Sequence, residues 1–555
     1  MSKQHATVGK HPKGLPFLFF TEMWERFGYY LMLGIFVLYM IDVNRGLAIP
    51  DRTADDIFGT FIAFTYLTPF IGGFLADRKI GYIKSVYIGG ILMAAGYLGL
   101  ALPGLTAFYI SVGLIIVGNG FFKPNISTLL GNLYSDDQYK ARKDSGYNLF
   151  YMGINIGAFL GPIIAAFMRN KYSWNAAFAT AGIGMIIGLI VFTIGLRYYR
   201  HADVMKPVEK GDASMGKVFG GVFLPAIVAG VIGWLAPKAV FGVDNLLGSN
   251  STDAFIFAAI PVVIFYVSLW WKANTTDKRP IAALLAIFAL SLVFWAVFKQ
   301  NGTALTRWAK YYTDREVSEI VEKPARLLYQ VETIPTTQDS VTMYDHEFRA
   351  VTEGDYVMKE WGRNVYFKNI PEDQIPADEP EVYLTSTELF QSINPFWVVV
   401  LTPVVVGFFA MLRRRGKEPT TATKIAYGLL ISGLSTLVMV GAVYAGGNGA
   451  EKVSPMWLVG TYGVITVGEL LLSPMGLSLV SKLSPPRLTA LMMGGFFLST
   501  SIGNKMSGVL ASMWYDYEDK ANFFLVNCLL LLISAGLAFA ILRWLNRVMK
   551  EKNIS

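Results

Sequence analysis

Long apolar stretches recur along all 555 residues, separated by short polar interruptions. A helix needs about twenty apolar residues to cross the hydrocarbon core of a bilayer. At that length the pattern predicts fourteen spans: 15–42, 54–76, 80–102, 105–131, 145–168, 174–198, 218–237, 253–271, 280–302, 386–412, 423–445, 455–481, 488–514 and 521–547. Loops rich in Lys and Arg alternate with poor ones. The rich ones hold Arg78, Lys79 and Lys84; Lys140, Arg142 and Lys143; Arg197, Arg200, Lys206, Lys210 and Lys217; Lys272, Lys278 and Arg279; Arg413, Arg414, Arg415 and Lys417; and Lys482 and Arg487. An even number of spans puts all of these loops and both termini on one side. The preference of Lys and Arg for the cytoplasm makes that side cytoplasmic. The expectation is a multi-pass plasma-membrane protein, which in a bacterium means the inner membrane.

Spans seven and eight, around Leu224–Ile232 and Phe255–Ile264, carry no ionisable residue at mid-span. They sit between two blocks of six. The parse is a six-helix bundle (1–200), a linker with two extra helices (201–278), and a second six-helix bundle (279–308 and 385–555). A long segment, 309–384, interrupts the second bundle. An all-α membrane protein with two six-helix halves suggests a central site near the midplane.

Composition agrees with the spans. The chain is 53% hydrophobic and 16% charged, against about a quarter charged in soluble domains. Its single cysteine, Cys528, lies in an apolar run, so there is no disulfide framework. His5, His11, His201 and His346 all lie outside the apolar runs. If protons are moved, carboxylates must carry them. Ser2 to Gly14 is polar and basic and the first apolar run is full length, which is read as no signal peptide. The net charge of +8 hides an asymmetry: 309–384 holds sixteen acidic and eight basic residues, leaving the rest of the chain at +16. This places the acidic segment on the extracytoplasmic side. It carries short alternating runs at Leu327–Val331, Ser340–Tyr344 and Asn364–Phe367. These read either as strands of a small β-rich cap or as a solvated loop. The basic residues are spread over short loops, so no nucleic-acid partner is expected.

The first span holds three charges: Glu22, Glu25 and Arg26, at i, i+3 and i+4, with Tyr29 and Tyr30 at i+7 and i+8. On a helix these share one face. Charges inside a span are costly and mark transport routes, or else staple helices together. Further candidates follow. Lys123 stands before a helix-breaking Pro124 in span four and needs a partner; Glu22 and Glu25 are the nearest by type. Asn148, Tyr151 and Asn155 line one face of span five. Glu469 is a lone carboxylate in span twelve. Lys299 ends span nine, Lys505 lies in span thirteen, and Gln391–Pro395 opens span ten. Positive charge from Arg26 and Lys123, set opposite Glu469, suits a zwitterion such as an amino acid or short peptide. Carboxylates beside bases can titrate as partners change, which proton coupling requires.

Span two ends in Gly72-Gly73-Phe74-Leu75-Ala76-Asp77-Arg78-Lys79. The paired glycines allow close packing, and Asp77 can cap an adjacent helix while Arg78 and Lys79 hold the cytoplasmic boundary. This resembles the cytoplasmic gate motif of the major facilitator superfamily, and it makes Asp77 and Arg78 gating candidates.

Together these residues resemble one family within that superfamily, the proton-dependent oligopeptide transporters. Glu22-x-x-Glu25-Arg26-Phe27-x-Tyr29-Tyr30 matches its first-helix signature, and Phe150-Tyr151-x-x-Ile154-Asn155-x-Gly157 its fifth-helix signature. Lys123, Gln391-x-x-Asn394-Pro395, Glu469…Ser473-Pro474 and Met492-Met493-Gly494 fall where the family has its own. Bacterial members carry two extra helices between the halves, as spans seven and eight do here. The resemblance implies a major facilitator fold and proton-coupled import of di- and tripeptides by alternating access. Glu22, Glu25, Arg26 and Lys123 would form the proton-coupling network, with Arg26 and Lys123 also facing the peptide carboxyl end. Glu469 would hold the amino end. Tyr29, Tyr30, Tyr66, Asn155 and Asn394 would contact the backbone, and Phe496 would line a side-chain pocket. The partners implied are small peptides and the lipid bilayer, with the protein working as a monomer. The coupling ion is the proton, with no cofactor and no metal.

Two positions depart from the family. Leu33 stands where an Arg is expected after the tyrosines. Lys299 stands where members often have an acid, at a gating and substrate position. Lys299 opens a second reading: the same fold and coupling with an acidic or modified peptide, or another organic anion, as substrate. A third reading is a transceptor or binding protein that uses 309–384 for recognition. No nucleophile elbow, metal cluster or phosphate loop supports an enzyme.

Overall fold

The computed structural model describes residues 11–140, 142–204, 216, 219–354, 356–376, 379–485 and 488–552. A long helix stands at each of the fourteen predicted places. They are α1 (Leu15–Ile41), α2 (Asp51–Leu75), α3 (Tyr82–Leu100), α4 (Leu105–Leu133), α5 (Lys143–Lys171), α6 (Trp174–Tyr199), α7 (Leu224–Ala236), α8 (Asn250–Trp271), α9 (Thr275–Phe298), α10 (Ile393–Arg414), α11 (Thr421–Ala445), α12 (Met456–Leu483), α13 (Thr489–Ser512) and α14 (Lys520–Glu551). Twelve of the places hold segments long and apolar enough to cross a membrane. The other two are α1 and α13, of 27 and 24 residues, and α1 is the helix with charges at its heart. Of the predicted basic loop residues, Lys206, Lys210, Lys217 and Arg487 lie outside the described residues, as does His5.

Side-chain caps mark several helix starts. Ser173, Ser249, Asn274, Thr420 and Asp519 each accept a backbone N–H from the first turn of α6, α8, α9, α11 and α14. Such a cap satisfies one of the free amides at a helix start. Pro124 does not break α4, contrary to the sequence expectation. The helix runs on to Leu133, as membrane helices tolerate proline where neighbours satisfy the freed backbone groups.

The chain forms two compact units: Met1–Phe36 with Phe64–Val208, and Val37–Ala63 with Glu209–Ser555. In the first, α3 packs on α4 and α6. In the second, α9 packs on α13 and α14, α11 on α12 and α14, and α7 on α8.

The segment after α9 takes the β-rich form. Six short strands pair antiparallel as β1 (Val331–Pro335) with β6 (Glu381–Thr385), β2 (Asp339–Thr342) with β5 (Lys359–Gly362), and β3 (Thr352–Glu353) with β4 (Tyr356–Val357). Ile334, Tyr366, Phe367, Ile375, Val382 and Leu384 form a small core beneath them. Two of the predicted runs differ. Leu327 ends a short helix (Glu319–Leu327), so the strand begins only at Val331. Val365–Asn369 is a 3-10 turn rather than a strand, because the Asn364 side chain accepts the Tyr366 N–H at 3.0 Å.

Span nine also runs past its predicted end at 302. Helical turns continue through Ala304–Arg307 to Tyr312. Tyr311 stacks on Phe348 of the insert at 5.0 Å, and the Tyr312 ring meets the same Phe348 edge-on at 5.2 Å. Backbone bonds join this end to the α11–α12 loop, Val453 N to Tyr312 O at 3.0 Å and Asp314 N to Val453 O at 2.8 Å.

Candidate functional site

The first unit brings the α1 charges together out of contact with water. Glu22, Glu25 and Arg26 are 2%, 0% and 4% exposed. Arg26 Nε donates to Glu25 Oε2 and Nη2 donates to Glu25 Oε1 at 2.5 Å. The same Nε stands 3.4 Å from Glu22 Oε1. The other Glu22 oxygen, Oε2, has no hydrogen-bond partner among the described residues. Lys123 on α4 is held with its Nζ 4.3 Å from the centroid of the Tyr66 ring on α2, a cation–π contact. The fields of Glu22 and Glu25 reach it. In their ionised forms two carboxylates, one guanidinium and one ammonium sum to zero, which lowers the cost of placing them within a membrane span; Lys123 is partly buried and the other three are buried. Arg26 also faces the Tyr29 ring at 5.1 Å, and Tyr29 meets Tyr30 edge-on at 5.4 Å.

The fifth-helix signature has a packing explanation. A methyl group on Gly157 would stand 2.8 Å from Phe27 N and 3.1 Å from the Arg26 Cβ. Only glycine lets α5 approach α1 this closely, directly behind Arg26. Asn155, two residues earlier, is buried and donates to Tyr151 O of its own helix at 2.9 Å. Its expected face is not uniformly enclosed, because Asn148 and Tyr151 are exposed.

At the end of α2, Asp77 does not cap α3. It accepts the Tyr82 hydroxyl at 2.7 Å. The cap comes from Asp203, whose Oδ1 accepts Tyr82 N at 2.7 Å and Ile83 N at 3.4 Å. The preceding Gly81 adopts φ +84° and turns the chain so that Asp203 meets these amides. Arg78 lies 5.9 Å from the Phe74 ring.

In the second unit Asn394 on α10 donates from Nδ2 to Glu469 Oε2 at 3.1 Å and to Thr466 Oγ1 at 2.9 Å. Both acceptors sit on α12, one turn apart. Lys299 is buried at the end of α9 and interacts electrostatically with Glu469. Gln391 donates to Asn301 O at 2.5 Å and Thr306 Oγ1 at 2.7 Å, tying the start of α10 to the end of α9. Phe496 is buried in helix packing, 6.1 Å from the Phe288 ring and against Gly476.

Two ion clusters built on the opening turns of α2 are absent from the sequence reading. Arg307 bridges Asp51 at 3.3 Å and Asp55 at 2.7 Å. Lys505 contacts Asp56 at 2.5 Å. Arg307 was missed because span nine was ended at 302. The three acids were missed although Asp51 and Asp55 fall at i and i+4 in the opening turns of an apolar helix, the same signal that exposed the α1 cluster.

The comparisons with known proteins agree with this architecture. A family model described as PTR2, POT family, matches residues 83–332 and 381–525. An uncharacterized transporter of Bacillus subtilis, YclF, is 31% identical over 550 residues, covering 97% of this chain and 95% of its own. A di-/tripeptide transporter of Lactococcus lactis subsp. lactis is 28% identical, covering 95% and 94%. A solved structure of a peptide transporter, POT, in complex with sulfate superposes with a TM-score of 0.75 at 29% identity, covering 97% of this chain and 96% of its own. The chain is a transmembrane protein and belongs to the POT family.

Proposed function

We propose that this protein is a proton-coupled symporter that imports di- and tripeptides across the plasma membrane by alternating access. The observation that carries the reading is the buried Glu22–Glu25–Arg26 cluster with Lys123 nearby. The di-/tripeptide transporter among its relatives supports the substrate class. Arg26 is held by Glu25 in a two-point grip that a proton on either oxygen weakens. Once released, the guanidinium is free to take a peptide carboxylate with the same geometry. Glu22 Oε2 has no hydrogen-bond partner among the described residues and is the natural first stop for the proton. Tyr29, Tyr30, Tyr66 and Asn155 then flank the peptide, and Asn394 presents Glu469 to the amino end. Asp77 and Arg78 serve the cytoplasmic gate. In this reading both termini are cytoplasmic, the insert faces outward, and the monomer is the working unit.

The test is uptake of labelled dialanine into proteoliposomes under an imposed proton gradient. Uptake that collapses with a protonophore supports the reading. No uptake, and no competition by any dipeptide, would sink it. Lys299 favours a second reading. Its buried positive charge near Glu469 suits an acidic peptide or another organic anion, and competition by acidic over neutral dipeptides would select it.

A further inference from the structure

The paired helices α7 and α8 look like passengers. Much of their apolar surface is exposed, including Leu224, Ile227, Val231, Leu235 and Ile264. Yet α8 is fastened at both ends. Near its C-terminal end the Tyr266 hydroxyl donates to Leu491 O on α13 at 2.8 Å. At its N-terminal end the fastening is built from charge. The Lys505 ammonium of α13 is fully buried and spends all three of its protons: on Asp56 at 2.5 Å, on Thr60 at 2.7 Å and on Ser251 at 2.7 Å. Asp56 in turn receives the Ser249 hydroxyl at 2.7 Å, the Thr252 hydroxyl at 3.2 Å, and the Ser251 hydroxyl. Ser249 is the N-cap of α8, accepting Thr252 N at 3.1 Å. The residue that starts the helix therefore also grips α2, and the positive end of α8 faces the Asp56 carboxylate. The loop before it is set by Asp253, which accepts Leu246 N at 2.7 Å and Leu247 N at 2.9 Å. Behind the ion pair α2 and α13 meet backbone to backbone. A methyl on Gly508 would stand 2.7 Å from Asp55 O.

An ion pair in a membrane holds two helices together only while its remaining donors and acceptors are filled. Here α2 and α13 do not fill them alone. We propose that the α7–α8 hairpin is a conformational clamp: the Ser249 and Ser251 hydroxyls complete the Asp56–Lys505 pair and hold the first turns of α2 against α13. Ser251 bonds both Asp56 and Lys505, so any step that parts the pair must also break a contact to α8, and the hairpin sets how often the pair opens.

The test needs no substrate, so it stands or falls separately from the peptide reading. Ser501 on α13 is buried and donates to Ala63 O on α2 at 2.7 Å. In the full chain, with Cys528→Ser to remove the native thiol, Ser501→Cys reports opening through its rate of reaction with a water-soluble maleimide. S249A/S251A should raise that rate about tenfold, since hydrogen bonds to charged groups are lost. S249T/S251T, which keeps both hydroxyls, should return it toward the parent. Ser268→Ala near the far end of α8 should leave it unchanged. Melting curves establish first that each variant is folded. If the double variant is not, S251A alone, which keeps the Ser249 cap, is read in its place. An unchanged rate in the alanine variant overturns the proposal, and so does an equal rise in Ser268→Ala, which would mean general loosening.

Discussion

Arg26 turns back onto Glu25, its immediate neighbour, with two nitrogens, while Glu22 one turn earlier receives a single longer contact of 3.4 Å. Adjacent residues on a helix do not ordinarily face each other, so the guanidinium has folded across its own helix to reach this carboxylate. The two glutamates are thereby unequal. Glu25 is the tight partner and Glu22 the loose one. Glu25→Gln should cost about 3–5 kcal/mol of stability, because it strips a buried cation of its main counter-charge, and Glu22→Gln should cost less. Both should abolish pH-driven uptake while leaving counterflow measurable. Thermal unfolding and paired transport assays check this. Equal loss of driven uptake and counterflow in both variants would assign the cluster a purely structural role.

Lys299 is one of the two positions, with Leu33, at which the sequence resemblance leads one to expect a different charge. Lys299→Glu places two carboxylates near each other, with Asn394 still donating to Glu469. The variant should gain uptake of neutral dipeptides and lose competition by acidic ones about tenfold. Competition curves with dialanine and with an acidic dipeptide decide it, and an unchanged selectivity would remove Lys299 from substrate choice.

Phe348 anchors the insert between Tyr311 and Tyr312. It is 5% exposed and adopts φ +58°, a strained conformation for a bulky residue. Phe348→Ala should cost about 3–5 kcal/mol of packing, read as a lower melting temperature of the purified protein. Excising the insert altogether asks a different question. Retained uptake after excision makes the segment accessory to transport.

Lys452, in the loop before α12, donates to Tyr311 O at 2.8 Å and lies 4.2 Å over the Tyr366 ring. Burial, and then Arg315, push its pKa down to about 7, with Asp314 opposing. An unfolded lysine keeps its proton to about pH 10.4. Between about pH 7 and pH 10 the state in which the insert has come away from Lys452 therefore binds more protons than the folded one, and stability of the packed insert rises with pH across that window. Below about pH 7 both states are protonated and the slope vanishes. Amide exchange at β1 and β6, corrected for intrinsic rate, should show stronger protection at pH 9 than at pH 7. Lys452→Met should flatten the difference. A flat profile in the parent protein would remove Lys452 as the cause.

Helix placement was readable because a bilayer-length apolar run permits few alternatives, and the α1 charges were readable because their spacing put them on one face. Most of what escaped depends on partners distant in sequence. From its place at the end of span two Asp77 is expected to cap an adjacent helix, but that job belongs to Asp203, 121 residues beyond the Tyr82 amide that it accepts. Pro124 was read as a break because local propensity penalises it, whereas tertiary packing in a membrane overrides that penalty. Lys505 was seen as a charge, but its counter-ion Asp56 lies 449 residues away. The turn at Val365–Asn369 turned on one side chain, Asn364, capping its own backbone.

The extension of α9 to Tyr312 gives the insert an unusual mechanical standing. The insert is fixed to the last turns of this helix, beyond a bend at Thr303 (φ −127°, ψ −92°), by Phe348, which stacks on Tyr311 and meets Tyr312 edge-on, while two backbone bonds tie the same turns to the α11–α12 loop. A rigid load fixed to the tip of a lever magnifies the lever's tilt. An antibody fragment gripping the solvent-exposed Trp361 and Tyr356 would thus serve as a remote pointer, reporting small rotations of α9 as large displacements without touching the charges inside.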